Sequence, residues 1–333
     1  MKVSEVGEFG LIDLLSDMVS FARKPEQASL INLDTGIGDD AAVWRSESGL
    51  EMATTDLLIE GVHFTTALTS YEELGWRAMA ANLSDIAAMG GLPRYALVSV
   101  ALPGDTEVDD VKAFYRGMLE LANRFGTAIV GGDVSSASQM VINIAVFGVT
   151  SENKIMKRSA AVPGDVIAVT GYLGGSAGGL EILSGKNKAK GSAAGLKEAF
   201  LKPFPRVAEG RIMAGKGVKA AIDISDGLVA DLGHICRMSG TGAKIDTTAV
   251  PVHPELDDNF GERTLTMALT GGEDYELLFT APAAIVETVK NAVSCPVTVI
   301  GEVTDNKKGE IRLLDGIGHS IVLPVKGWDH FKR

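Results

Sequence analysis

Residues 220–238 read AAIDISDGLVADLGHICRM and join a short apolar run to an amphipathic segment through a polar turn. Residues 220–224 have the composition of a buried strand, and residues 228–238 have the apolar spacing of a helix. Between them stand Ser225, Asp226 and Gly227, which are residue types that favour turns. The stretch therefore predicts a strand, an oxygen-rich turn and a helix, the unit from which α/β domains are built.

The same alternation extends in both directions from this stretch. Strands are predicted at residues 50–55, 95–102, 128–130, 140–149, 166–170, 220–224, 243–245, 277–280 and 297–303. Helices are predicted at residues 5–18, 71–89, 108–125, 177–183, 206–214, 228–238 and 284–293. The polar segment 151–158 interrupts the pattern, and 333 residues are long for a single core. We therefore expect two α/β domains with mixed strand connections, spanning residues 1–150 and 151–333.

Composition limits the classes of partner. The chain has 31 Lys and Arg against 43 Asp and Glu, a formal charge of −12, so nucleic acid is not an expected partner. With 46% apolar and 22% charged residues the composition is that of a soluble globular protein, and it contains no apolar run long enough to cross a membrane. Its two cysteines, Cys236 and Cys295, are expected to be buried thiols in a reducing cytoplasm.

Some of the acids occupy an unusual setting, among glycine and apolar residues. They belong to residues 36–42 (GIGDDAA), 54–56 (TTD), 82–85 (NLSD), 131–133 (GGD), 223–227 (DISDG) and 271–275 (GGEDY). A carboxylate at the end of a buried strand costs several kcal/mol unless a cation or hydrogen-bond donors compensate it. Lysine and arginine are scarce in these segments. Divalent ions are the natural compensation, and Mg²⁺ is the expected ion if the ligand is a nucleotide.

Several familiar sites are missing from the sequence. It contains no G-x-x-x-x-G-K-[ST] segment, no protein-kinase motif set, no C-x-x-C and no H-E-x-x-H. The glycines at residues 171–179 follow a predicted strand, but their spacing does not match G-x-G-x-x-G. We interpret them as packing or turn residues in preference to a cofactor site. The basic, glycine-rich loop 185–195 could be a lid, but the sequence favours an ordinary disordered surface loop.

Taken together, the acidic segments resemble those of thiamine-monophosphate kinases. The resemblance in order and spacing is carried by residues 36–42, 55–56, 60–64, 82–90, 131–133, 223–228 and 272–277, and it extends from about Gly7 to residues 328–331. That family belongs to a superfamily of ATP-binding enzymes that includes aminoimidazole ribonucleotide synthetase, selenophosphate synthetase and the maturation protein of nickel–iron hydrogenases.

The resemblance implies a fold and a reaction. The fold is α/β (α+β), with two mixed-sheet domains of the aminoimidazole ribonucleotide synthetase type and N-terminal domains that pair their sheets in a homodimer. The N-terminal domain would bind ATP and metal, and the C-terminal domain would complete the nucleotide and substrate site. The implied reaction is ATP-dependent phosphorylation of thiamine monophosphate to thiamine diphosphate, with several Mg²⁺ ions, in the cytoplasm.

The resemblance also assigns roles to individual residues. The implied metal ligands are Asp40, Thr54, Thr55, Asp56, Asp85, Asp133, Asp223 and Asp226, while the adjacent Asp39 matches less well. The implied nucleotide contacts are Tyr115, Gly132, Asp133, Arg158 and Ser225. The implied contacts to thiamine monophosphate are His63, Glu273 and Trp328. Of these residues, Asp56, Asp85 and Asp226 are expected to be the most critical for turnover.

The chemistry of the acceptor simplifies the expected mechanism. A phosphomonoester loses its second proton near pH ~6, so its oxygen is already a nucleophile at neutral pH and needs no general base. We expect direct in-line transfer without a covalent intermediate. Two alternatives stay open at this point: another ATP-dependent synthetase of the same superfamily, and a non-catalytic sensor of nucleotide or metal.

Overall fold

The chain divides into two compact units. The computed structural model describes residues 1–22, 33–35, 43–44, 50–150, 154–306 and 308–323. The N-terminal unit comprises Met1–Ile86 and Leu92–Asn153, and the C-terminal unit comprises Ala87–Gly91 and Lys154–Arg333. Within the described residues, no helix combines the length and the apolar character that crossing a membrane requires.

The N-terminal unit is a mixed sheet with helices. Its helices are α1 (Val3–Ala22), α2 (Tyr71–Ala88) and α3 (Val108–Phe125), and its strands are β1 (Leu33–Thr35), β2 (Val43–Trp44), β3 (Glu51–Ile59), β4 (Leu92–Leu102), β5 (Ala128–Ser136) and β6 (Val141–Val149). Strands β1 and β2 form an antiparallel pair, and the main sheet has the order β3-β6-β4-β5. Only the β4–β5 pair of that sheet is parallel. Alternate residues of β6, among them Ile142 and Ile144, are fully buried, as expected for a sheet with one covered face.

Helices α2 and α3 cross at two glycines. A methyl group at Gly75 would lie 1.9 Å from the carbonyl oxygen of Phe114, and one at Gly117 would lie 1.8 Å from the carbonyl oxygen of Glu72. Each helix therefore packs its backbone against the other, at a separation that admits no Cβ atom. This close contact fixes α2, the helix that carries Asp85.

The C-terminal unit is built around a larger sheet. Its helices are α4 (Gly175–Leu183), α5 (Ala194–Leu201), α6 (Val207–Gly215), α7 (Leu228–Ser239), α8 (Leu256–Phe260), α9 (Thr264–Thr270) and α10 (Ala283–Lys290). Its strands are β7 (Val166–Thr170), β8 (Ala220–Asp223), β9 (Gly242–Asp246), β10 (Leu277–Ala281), β11 (Val297–Thr304), β12 (Ile311–Leu314) and β13 (Ser320–Ile321). They form one sheet of order β13-β12-β9-β11-β7-β10-β8, in which only β12 and β9 are parallel.

The apolar face of α7 covers this sheet. Leu228, Leu232 and Ile235 of the helix share a core cluster with Ile167 and Val169 of β7, and all five side chains are fully buried. The buried residues recur at helical spacing, which is the pattern that predicted a helix here. The quoted stretch thus forms strand, turn and helix as expected, and the core holds the turn between β8 and α7 in place.

Two predicted strands are longer than expected, which corrects the position of two acids. Strand β3 continues to Ile59 and β5 continues to Ser136, so Asp56 and Asp133 lie inside strands and not at their ends. Both strands are edges of the described sheet, and Asp133 is exposed there whereas Asp56 is half-buried. The sequence also missed shorter elements, namely β1, β2, α5, α8, α9, β12 and β13.

We predict that Gly75→Ala or Gly117→Ala destabilises the protein by about 1–3 kcal/mol, because a Cβ atom overpacks the crossing of α2 and α3. Urea unfolding monitored by circular dichroism measures the change. Gly215→Ala is the matched control, since Gly215 ends a helix and a methyl group placed there would have nothing within 4 Å. Equal midpoints for all three variants would contradict this packing.

Candidate functional site

In the N-terminal unit, an oxygen cluster forms between β3 and α2. The alternation of β3 turns Thr54 and Asp56 to the same face of the strand. The Thr54 hydroxyl donates to Oδ2 of Asp85 at 2.5 Å, and the backbone N–H of Asp56 donates to Oδ1 of Asn82 at 3.1 Å. The structure therefore brings together three of the residues predicted as metal ligands: Thr54, Asp56 and Asp85.

Asn82 ties this cluster together, and it was not among the predicted site residues. It is fully buried, and its side-chain amide donates to the Ala78 carbonyl one turn back at 3.1 Å. Asn82 and Asp85 are three residues apart, so they lie on the same face of α2. The only indication of this role in the sequence was the segment 82–85 (NLSD), in which an asparagine precedes the acid on a predicted helix.

The electrostatics of the cluster suit a cation. Burial, together with the neighbouring charge of Asp85, raises the pKa of Asp56 to about 6. Two half-buried carboxylates and a hydroxyl are hard oxygen donors of the kind that Mg²⁺ selects. A bound cation would reverse the penalty on the ionised carboxylates, so the residues present fit the expected ion.

Thr55 and Asp133 lie apart from this cluster. Thr55 faces the opposite side of β3, where its hydroxyl accepts a hydrogen bond from the Asn143 amide at 2.9 Å. Asp133 is exposed on β5, which lies three strands from β3 in the sheet. At the usual strand spacing this places the two strands about 14 Å apart. The assignment of both residues as metal ligands stays a prediction.

His63 has a defined hydrogen-bond role. The backbone N–H of Ile59 donates to Nδ1 of His63 at 3.0 Å. The proton of the neutral ring therefore resides on Nε2, which makes that nitrogen a donor. A donor at the end of β3 is chemically suited to an anionic oxygen of a substrate.

The two nucleotide contacts predicted in the N-terminal unit occupy packed positions. Tyr115 is 5% exposed on α3, with its ring edge-on to Phe114, and burial raises the pKa of its phenol. Gly132 lies so close to β4 that a Cβ atom would be 1.8 Å from the Val98 carbonyl oxygen. Both residues thus have roles in packing, and their contact with a nucleotide stays a prediction.

In the C-terminal unit, the turn after β8 is joined to the loop before β10. The N–H of Glu273 donates to the Ser225 carbonyl at 2.9 Å, and the N–H of Tyr275 donates to the Ile224 carbonyl at 3.0 Å. Asp223 is the last residue of β8 and is buried. The predicted metal ligands Asp223 and Asp226 and the predicted nucleotide contact Ser225 therefore lie beside the predicted substrate contact Glu273.

That loop holds a costly backbone conformation. Glu273 and Tyr275 have φ angles of 63° and 52°, in the left-handed region that side chains other than glycine disfavour by about 1–3 kcal/mol. The residues between and after them anchor the loop. Asp274 accepts hydrogen bonds from the amides of Gly174 and Ser176 at 2.7 and 3.1 Å, and burial raises its pKa to about 7.

Glu276 supplies the second anchor of the loop. It accepts two hydrogen bonds from the Arg206 guanidinium, at 2.7 and 2.6 Å, and one from the Thr170 hydroxyl at 2.6 Å.

The interpretation of the glycines at 171–179 as packing residues is confirmed. Asp274 accepts the amides at the N-terminus of α4, and a Cβ atom at Gly179 would lie 2.1 Å from the Leu196 carbonyl oxygen.

Asp231 is a functional candidate that sequence reasoning missed. It is 2% exposed in α7, and burial together with the charge of Asp226 raises its pKa to about 7. Three backbone amides of the preceding turn, those of Ser225, Asp226 and Gly227, each donate to its Oδ2 at 3.1 Å and oppose the rise. The signal was an acid on the buried face of an otherwise apolar helix, close to the helix start.

Arg158 lies at the same end of the C-terminal unit. The pKa of His234 is lowered by burial and by the charges of Arg237 and Arg158, while Asp226 raises it. Arg158 itself is exposed, and its carbonyl accepts a hydrogen bond from the Ser239 hydroxyl at 2.9 Å. An exposed guanidinium and a carboxylate thus lie near one histidine, an arrangement in which the guanidinium is accessible to a phosphate.

Comparison with known proteins agrees with this arrangement. Residues 38–150 match the N-terminal domain and residues 162–314 the C-terminal domain of AIR synthase related proteins. The thiamine-monophosphate kinase of Bacillus subtilis (strain 168) is 37% identical over 90% of this chain and 94% of its own length. The chain belongs to the thiamine-monophosphate kinase family.

Solved structures of this family share the fold. The thiamine-monophosphate kinase of Stenotrophomonas maltophilia K279a superposes with a TM-score of 0.80, at 31% identity over 89% of this chain and 94% of that one. The structure of AaThiL complexed with AMPPCP and TMP gives a TM-score of 0.75, at 34% identity over 99% of both chains. The expected family and the expected pair of mixed-sheet domains are therefore confirmed.

Two predicted site residues of the family pattern, Asp40 and Trp328, lie outside the described residues, as does Asp39.

The expectation of a disordered loop at 185–195 was wrong. The loop is not disordered, because the fully buried Asn259 accepts a hydrogen bond from the Lys190 amide at 3.0 Å and donates one to the Ser192 carbonyl at 2.8 Å. Buried hydrogen-bonding groups on α8 give this polar loop the anchor that its composition did not show.

Asp56 gives a test of the N-terminal oxygen cluster. Its pKa is raised on folding, so its contribution to stability is present below pH ~4 and is lost as the pH rises through about 6. We predict that Asp56→Asn stabilises the metal-free protein by about 1–2 kcal/mol at pH 7, measured by urea unfolding in EDTA.

Mg²⁺ should stabilise the wild type more at pH 7.5 than at pH 5, and Asp56→Asn should abolish most of that gain. Asp109→Asn is the control, because that acid is exposed on α3. An Asp56→Asn variant with the wild-type midpoint in EDTA at pH 7 would contradict the description of the cluster.

Proposed function

We propose that this protein transfers the terminal phosphoryl group of ATP to thiamine monophosphate, forming thiamine diphosphate and ADP. The observation that carries the proposal is the cluster of Thr54, Asp56 and Asp85, in which hard oxygen donors meet at a half-buried strand. The family relationship supports the choice of substrates, since its members are named for this reaction and one was solved with AMPPCP and TMP.

The chemistry needs positioning more than it needs a proton acceptor. The phosphate of the acceptor is largely dianionic at neutral pH, so we assign no general base and no covalent nucleophile to the chain. Bound Mg²⁺ ions would offset the repulsion between the two phosphate groups. We propose direct in-line transfer, which inverts the configuration at the transferred phosphorus. Retention at that phosphorus would refute it.

We assign roles to the described residues as follows. Asp56 and Asp85 hold metal in the N-terminal unit, and Asp223 and Asp226 do so in the C-terminal unit. Arg158 and Ser225 contact the nucleotide. His63 donates through Nε2 to the substrate, a role that its fixed tautomer supports, and Glu273 contacts the same substrate. Thr54, Thr55, Asp133, Tyr115 and Gly132, together with Asp40 and Trp328, complete the proposed set.

We predict that Asp56→Asn and Asp226→Asn each lower kcat by about 100-fold or more, because charge stabilisation by metal is worth several kcal/mol and each 1.4 kcal/mol or so is a factor of ten. Chromatography of thiamine diphosphate and a coupled assay for ADP measure the products separately. Asp109→Asn and Asp257→Asn are controls, because both acids are exposed on helices.

The outcomes separate the candidate functions. Thiamine diphosphate and ADP in equal amounts support the proposal. ADP without thiamine diphosphate would indicate another acceptor or a synthetase reaction, and nucleotide binding without turnover would indicate a sensor. Full activity in both Asp→Asn variants would refute the assigned metal ligands.

We also propose that the enzyme is a cytoplasmic homodimer formed through the N-terminal sheet. Leu57 is 50% exposed on the face of β3 that carries Thr55, opposite the face that meets α2. A half-exposed apolar side chain there fits burial against a second copy. We predict that Leu57→Lys shifts the mass measured by light scattering from dimer to monomer, while Val162→Lys, at another exposed apolar residue, does not.

A further inference from the structure

The environment of Asp231 is more specific than helix capping requires. Helix α7 begins after Gly227, a residue without a side chain to cap it. Asp231 lies inside the helix and reaches back, so that its Oδ2 accepts the amides of Ser225, Asp226 and Gly227 at 3.1 Å each. A negative charge at a helix N-terminus is favourable in itself. The amides of Ser225 and Asp226, however, belong to the turn before the helix.

The turn is held from its other side as well. Its carbonyl groups accept hydrogen bonds from the loop before β10, Ser225 from Glu273 at 2.9 Å and Ile224 from Tyr275 at 3.0 Å. A Cβ atom at Gly272 would lie 2.3 Å from the Ser225 carbonyl oxygen, so the two segments are in close contact. The amides of the turn are bonded to Asp231 and its carbonyls to this loop, so the backbone conformation at Asp226 is restricted from both sides.

Direct metal binding by Asp231 is a less satisfactory account. Ligand atoms of Asp226, Asp231 and His234 lie within 4.8 Å of one another, a spacing that metal ligands can have. However, Oδ2 of Asp231 already accepts three hydrogen bonds, and Nδ1 of His234 lies 3.2 Å from the Arg237 guanidinium. The three hydrogen bonds to Oδ2 and the neighbouring guanidinium both disfavour a cation at that point.

We propose that Asp231 is a positioning residue: it fixes the backbone of the turn so that the side chains of Ser225 and Asp226 are preorganised for metal and nucleotide. The proposal rests on the function proposed above. Asp231 would contact neither metal nor nucleotide but would hold the two residues assigned to them, as hydrogen-bond partners commonly orient metal ligands. The sequence does not distinguish a metal ligand from a positioning acid here, because Asp223, Asp226 and Asp231 all lie within nine residues.

The test uses Mn²⁺ as the probe, bound to the full-length protein and followed by electron paramagnetic resonance. Asp231→Ala should weaken Mn²⁺ binding and lower kcat by about 10–100-fold each, the usual effect of removing a partner behind a ligand. The KM for thiamine monophosphate should stay within about threefold. Asp231→Asn keeps an acceptor oxygen and should recover part of both losses. Glu209→Gln removes another buried carboxylate of the same unit and should change neither quantity.

A double-mutant comparison decides between positioning and ligation. If Asp231 acts through Asp226, adding Asp231→Asn to Asp226→Asn should weaken Mn²⁺ binding no further. An equal further loss in that background would overturn the proposal, because Asp231 would then bind metal independently. It would also be overturned if the Asp231 variants lowered only the melting temperature. Mn²⁺ binding does not require turnover, so it tests Asp231 even if the wild type forms no thiamine diphosphate.

Discussion

Carboxylates gathered at low exposure are the constraint on which the rest of this structure depends. Each must be compensated locally, because burial and neighbouring acids penalise the charged form. The compensation takes two forms. Asp231 and Asp274 receive backbone amides, and Glu276 receives a guanidinium and a hydroxyl. Asp56 instead has a second carboxylate, Asp85, as its neighbour, a setting that a bound cation would compensate.

The acids that accept hydrogen bonds from the protein hold the backbone of the candidate site in place. Asp274 lies between the two residues in left-handed conformations and Glu276 follows them, and the hydrogen bonds of these two acids maintain a backbone that would otherwise relax. Such strain persists only where the surroundings over-determine it, and it concentrates at functional sites. The same loop meets the turn that carries Ser225 and Asp226. A rigid loop and a rigid turn joined by hydrogen bonds suit phosphoryl transfer, in which positioning provides much of the rate.

The sequence predicted the order of the long elements well, because apolar periodicity reports directly on which face is buried. Helices α2, α3 and α7 begin at the expected residues. Prediction failed where the outcome depended on tertiary contacts. Acid and glycine residues suggested that strands end at Asp56 and Asp133, yet edge strands accommodate both. Asn82 was missed because its partner is a backbone amide on a distant strand. Asp231 was missed because only the folded turn shows that the helix residue accepts the amides that precede the helix. The acidic motifs could be matched to the family from the sequence, because the match depends only on residue types, order and spacing.

The formal charge of −12 also has a more specific meaning once these environments are known. Acids at exposed positions, such as Asp109 and Asp257, contribute to the charge of the surface. Asp231, Asp274 and Glu276 accept hydrogen bonds from the protein, although burial still raises the pKa of both aspartates. Asp56 and Asp85 repel each other when both are ionised, and a bound cation would offset this repulsion. Under the proposed function, metal affinity would therefore be maintained at the expense of the stability of the metal-free protein, and the close crossing of α2 and α3 holds the helix that carries Asp85.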